Sequence, residues 1–186
     1  MLWTAPKDPW GKAMRKQHGF SLIELLIVVA IILIIAAIAI PSLLRARMAA
    51  NESSAVSSVR TITTGQITYQ STYPTIGYAA ALQNLGGPLG AACVPGSATA
   101  CLIDAVLANN GNPAGSGKSG YNFTSGVGTV GAGLNVGFTI QAQPKVVNET
   151  GTRAFCAEQD SLVRVDPAGV CSNTEAGILT FNPLNQ

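Results

Sequence analysis

Few residues of this 186-residue chain are equipped for chemistry, and Glu24 is under the heaviest electrostatic demand. From Leu25 to Ile40 every residue is Leu, Ile, Val or Ala, and no Lys or Arg lies between Phe20 and Arg45. A lone carboxylate in such a helix costs at least a few kcal/mol in lipid, so an acid there has a partner and a task. An α-amino group would serve. A cut between Gly19 and Phe20 would place a new ammonium one turn from Glu24, where the helix dipole also favours negative charge. Within one chain the fit is cramped, so a neighbouring chain's amine is an equally good partner. The ion pair would then set the register of stacked identical helices.

The other reactive side chains say mostly what the protein does not do. His18 is the single histidine and precedes that cut. The rest of the chain has no imidazole for a general base, a triad or a metal, and no cofactor is expected. Glu158, Asp160, Asp166 and Glu175 offer oxygen ligands, but at no recognised calcium-loop spacing, so no metal site is assigned. Gly126-Val127-Gly128 is not followed by a helical pattern, which argues against phosphate binding. Four cysteines behind a membrane-crossing signal point to an oxidising compartment and to disulfides, with three connectivities open. Cys93 and Cys101 flank a Pro-Gly-Ser segment that suits a small closed loop. Aromatics make up 6% of the chain and form no continuous stripe that would argue for electron conduction.

These residues must be positioned by an apolar span that, counted from Phe20, is about long enough for a hydrocarbon core of roughly 30 Å. Lys7, Lys12, Arg15 and Lys16 precede it and favour a cytoplasmic location for that end. A secretory signal cut after Ala37-Ile38-Ala39 would not explain Glu24. A plain anchor leaves Glu24 and Gly19-Phe20 unexplained. A buried core helix fits poorly with hydrophobicity on every face.

Pro41 removes a backbone donor and is expected to kink or loosen the helix. Beyond it Leu44, Met48, Ala55, Val59, Ile62 and Tyr69 recur at helical spacing, with Arg45, Asn51, Glu52, Ser53, Arg60 and Gln66 on other faces. The helix should end before Tyr73-Pro74, near Ser71, for a length of about 75 Å at 1.5 Å per residue. Dense Gly, Pro and Asn then mark loops, with short helices predicted within 79–85 and 102–108. From Tyr121 the period becomes two: Tyr121–Thr124, Leu134–Ala142, Arg153–Ala157 and Leu162–Asp166 read as strands, the last two joined by a turn at Gln159-Asp160-Ser161. The formal net charge is +2, but residues 1–19 carry four bases and one acid, so the remainder is −1. Nucleic acid is not indicated as a partner.

Lys16-Gln17-His18-Gly19-Phe20-Ser21-Leu22-Ile23-Glu24, with an apolar run and Pro41 behind it, resembles the class III signal of type IV prepilins and pseudopilins. Leu33 stands where many members carry Gly. The resemblance implies cleavage between Gly19 and Phe20 by a prepilin peptidase, N-methylation of Phe20, an assembly salt bridge between Phe20 and Glu24, and a helix-loosening Pro41. It also implies a terminal disulfide loop, here Cys156 with Cys171, beside the proposed Cys93–Cys101 loop.

The expected fold is α+β: a long N-terminal helix packed against a small antiparallel sheet. Residues 1–19 form a leader, 20–41 a membrane or filament-core helix, 42–72 its amphipathic continuation, 73–120 a connecting region and 121–186 a β head. Met14 is an alternative start to Met1. The expected function is a structural pilin, not an enzyme, with adhesion, twitching or DNA uptake as the roles of its filament. The expected partners are the membrane, the peptidase, an inner-membrane assembly platform and further copies in a helical filament. The precursor would lie in a bacterial inner membrane, its N-terminus cytoplasmic, and the product in a surface pilus or a periplasmic pseudopilus. A type II secretion pseudopilin is the alternative within the class. A membrane-anchored periplasmic binding domain is the alternative outside it, and predicts an uncut Phe20 and a silent Glu24→Ala.

Overall fold

The computed structural model describes residues 19–172 and 174–184. The leader readings at residues 1–18, including His18, lie outside the described residues. Two compact units divide between Pro41 and Ser42.

One helix dominates. Helix α1 spans Leu22–Thr72 and its assignment runs through Pro41 without interruption. Its second half is rich in Ser and Thr, which often divert backbone bonds away from helix. Here the hydroxyls of Thr61, Thr63, Thr64, Thr68, Ser71 and Thr72 each donate to the carbonyl four residues back, so the ladder and the side chains coexist. The helix ends where Tyr73 precedes Pro74, a position that disfavours α backbone.

The head is α+β. Short helices α2 (Leu82–Leu85) and α3 (Ala105–Ala108) punctuate the connecting region. Asp104 caps α3 through a 2.9 Å bond from the Leu107 amide. Strands β1 (Tyr121–Val127), β4 (Phe138–Pro144), β5 (Ala154–Glu158), β6 (Arg164–Asp166) and β7 (Asn182–Pro183) form one antiparallel sheet in the order β1-β4-β5-β6-β7. A separate ribbon pairs β2 (Val130–Gly131) with β3 (Leu134–Asn135), and helix α4 covers Glu175–Ile178. The sheet faces α1 across a core that includes Val59, Ile62, Tyr69, Tyr121, Phe138 and Phe155.

Several expectations change. The stretch 134–142 is not one strand, because Asn135 is claimed by another partner. Its amide donates to the Ile76 carbonyl, its carbonyl accepts from Tyr78 N, and its side chain donates to the Tyr78 carbonyl. Gly77 permits this close approach at φ +87°, where a Cβ would strike the Asn135 carbonyl. The predicted helix at 79–85 shrinks to Leu82–Leu85, and that at 102–108 to Ala105–Ala108, starting at its Asp104 cap. The apolar stripe starts later than expected: Leu44 is exposed, Met48 is half-buried, and burial begins at Glu52. Glu52 and Gln66, assigned to polar faces, are 7% and 0% exposed.

Candidate assembly site

The N-terminal unit presents a helix start and an uncovered apolar surface. Ser21 precedes the first helical residue, and its amide donates to Glu24 Oε2 at 3.1 Å. This is the return half of a capping box, in which an acid at the third helical position satisfies an amide the helix cannot. The amide is neutral, so the bond orients the carboxylate without cancelling its charge. Among the described residues no cation pairs with Glu24. Every large apolar side chain from Phe20 to Leu44 is exposed. The helix is long and apolar enough to cross a membrane by length and composition.

The head is fastened to the second half of α1 by polar contacts placed inside its apolar stripe. Glu52 Oε1 accepts from the Thr152 amide and hydroxyl, each at 2.9 Å, and from the Arg153 amide at 3.3 Å. Its Oε2 accepts from Arg153 Nε at 3.0 Å and Nη2 at 2.6 Å. Burial alone would raise the Glu52 pKa, but the Arg153 and Thr152 donors outweigh it and hold the carboxyl below its usual value. Fourteen residues on, the Gln66 side chain accepts from Ala79 N at 2.8 Å and donates to Ala79 O at 3.2 Å and Ser125 Oγ at 3.0 Å. Sequence reasoning missed both residues, although a signal existed. Positions 52, 55, 59, 62, 66 and 69 repeat at three or four residues, so Glu52 and Gln66 share the face of Ala55, Val59, Ile62 and Tyr69.

The acids considered as calcium ligands have other work. Arg164 is buried and pairs with Glu158 at 3.4 Å and with Asp160. Burial, and then the nearby Asp160 charge, push Glu158 above the usual carboxylate range, while Arg164 bonding holds Asp160 below it despite burial. Glu175 accepts from the amide and hydroxyl of Thr129, and Asp166 from the Ala168 amide. Cys93 is bonded to Cys101, and Cys156 to Cys171. The second bond ties β5 to the segment that leads into α4 and β7.

Residues 14–40 match the model of the prokaryotic N-terminal methylation motif. A type IV wide pilus major component of Thermus thermophilus is 62% identical over 40 residues, which is 22% of this chain and 30% of that one. The likeness to a type IV pilin is confined to the amino-terminal segment. The chain spans about a third of the length of the curated relative it matches, and no solved structure matches it. The matched segment takes in Glu24 and the apolar run as far as Ile40. The head's disulfides, its Glu52 clasp and its five-stranded sheet are read from the structure of this chain.

Proposed function

We propose that this chain is a structural subunit of a type IV pilus. The precursor sits in a bacterial inner membrane with its N-terminus cytoplasmic. Prepilin peptidase cuts between Gly19 and Phe20, and the Phe20 amine is methylated. An assembly platform then draws the subunit from the membrane, and helices 20–41 bundle with those of further copies. The observation that carries this is Glu24: a charged group, held only by a neutral amide, on a helix whose large apolar side chains from Phe20 to Leu44 are all uncovered. A bundle supplies both missing partners, neighbouring helices for the apolar faces and a neighbour's Phe20 ammonium for the carboxylate. Leaving lipid gains little hydrophobic energy, so close packing and this pair must provide the specificity. Pro41 would let the helix adjust during packing. Similarity to a wide-pilus component supports a pilus over a pseudopilus.

The test is the mature N-terminus and one substitution. Mass spectrometry of sheared filaments should find N-methyl-Phe20, and Gly19→Ser should leave an uncut precursor. Glu24→Val should remain in the membrane yet be lost from filaments. Normal filaments from Glu24→Val, or a mature chain starting at Ile40, would refute the proposal.

A further inference from the structure

The charges of the head are nearly all spent within the chain. Lys118 pairs with Asp104, Arg153 with Glu52, and Arg164 with Glu158 and Asp160, while Lys145 donates to the Ser116 carbonyl. Asp166 and Glu175 accept hydrogen bonds from neighbouring residues. Among the described head residues, one acid is left over. The Glu149 carboxylate has neither an ion pair nor a hydrogen bond, and its residue is exposed. On the second half of α1 the cations without an ion pair among the described residues are Arg45, Arg47 and Arg60.

Glu149 and Arg60 stand in matching surroundings. Arg60 lines an open groove of about 390 Å³ with Ala49, Val56, Phe155 and Leu184, and the paired Glu52 and Arg153 line it too. Because Glu52 balances Arg153, the groove is apolar with one unpaired cation, Arg60, among its described lining residues. Glu149 sits on a tight turn in which the Glu149 and Thr150 amides donate to the Val146 carbonyl at 3.2 and 2.9 Å. Beside it Val146 and Val147 are 49% and 44% exposed. The turn is thus an apolar knob with an anionic edge.

A chain cannot dock this knob into its own groove. The turn is anchored on one flank of α1, where Asn51 Nδ2 donates to the Thr150 carbonyl at 2.9 Å. Arg60 lies nine residues beyond Asn51. At about 100° per residue this is about half a turn around the axis, so the knob and the groove occupy opposite flanks. Two different patches on opposite flanks make a head-to-tail contact between identical subunits, which closes into a ring or extends as a helix. The geometry points to the groove at Arg60 as the receptor for the Val146-Val147-Glu149 turn of a second copy of this chain. This inference rests on the filament reading above and adds a contact between heads that the N-terminal segment does not specify.

The experiment compares Arg60→Glu, Glu149→Arg and the double exchange in cells, measuring the ratio of chain in sheared filaments to chain in the membrane. Each single change sets like charges against each other and should lower that ratio about tenfold, and the double exchange should recover it to within about twofold. Singles at the wild-type ratio, or a double exchange no better than either single, would overturn the contact. If the head of Arg60→Glu fails to fold by near-ultraviolet circular dichroism, Arg60→Lys replaces it. Carbodiimide treatment of those filaments should then join Lys at position 60 of one copy to Glu149 of another, and absence of that peptide would also overturn the contact. Glu24→Val separates the two ideas. If it abolishes filaments while the head variants are silent, only the head contact fails. A wild-type chain that builds no filament removes both.

Discussion

Glu52 joins α1 to the head, and changing it tests the whole account of how the two pack. Glu52→Gln preserves shape but removes the charge and turns one acceptor oxygen into a donor. Five hydrogen bonds converge on the wild-type carboxylate, two of them from the Arg153 guanidinium. Breaking a fully buried ion pair costs about 3–5 kcal/mol. The Glu52 side chain is 9% exposed but that of Arg153 is 46% exposed, so water recovers part of the loss. About 2 kcal/mol remains, which for a domain of this size is roughly 5–8 °C in Tm. The assay is thermal unfolding of the full chain in detergent, followed by near-ultraviolet circular dichroism. Tyr69 of α1 and Tyr121 of the head are buried in the core they share and report its packing.

The same pair predicts a pH dependence. The folded carboxyl is held below its ordinary value of 4.5, so the stability it adds is fully present above that value. That stability is lost as pH falls from there through the folded pKa. The wild-type advantage over Glu52→Gln should therefore be constant from pH 7 to about pH 5 and shrink below. Glu158, Asp160 and Asp104 titrate in both proteins and cancel in the difference. A Tm change under about 2 °C, or an advantage that grows on acidification, would refute the clasp.

Two further substitutions probe the head. Gln66→Leu should cost about 2–4 kcal/mol, because the buried Ala79 amide and carbonyl both lose their partner; chemical denaturation should show a lower midpoint at unchanged slope. Replacing Cys156 and Cys171 together by Ala opens a loop of sequence separation 15 and should cost about 3 kcal/mol, against about 2.5 kcal/mol for Cys93 and Cys101 at separation 8. The two pairs are compared by the denaturation midpoints of the full chain in detergent.

The N-terminal helix was legible because each of its signals is local. An apolar run, one acid in its first turn and an X-Pro end at Tyr73-Pro74 need no knowledge of the rest of the chain, and the structure places the helix at Leu22–Thr72. The period-two runs likewise located strands near Tyr121, Phe138, Ala154 and Arg164. What periodicity could not do was choose partners. Asn135 and Ile140 lie in one alternating run, yet Asn135 bonds to Ile76 and Tyr78 while Ile140 pairs with Ser125 and Ala157. The strand β7 at Asn182–Pro183 was not read at all, since a two-residue strand carries no period.

The sequence by itself thus determined the helix long and apolar enough to cross a membrane and the one charge inside its apolar run, because both follow from residue types in one uninterrupted stretch regardless of the fold around it. Only the tertiary structure decided the use of the remaining polar groups. Glu52 and Gln66 look like solvent-facing residues until Arg153 and Ala79, distant in sequence, arrive to satisfy them. Whether such a group is buried depends on donors and acceptors that folding alone brings within 3 Å or so.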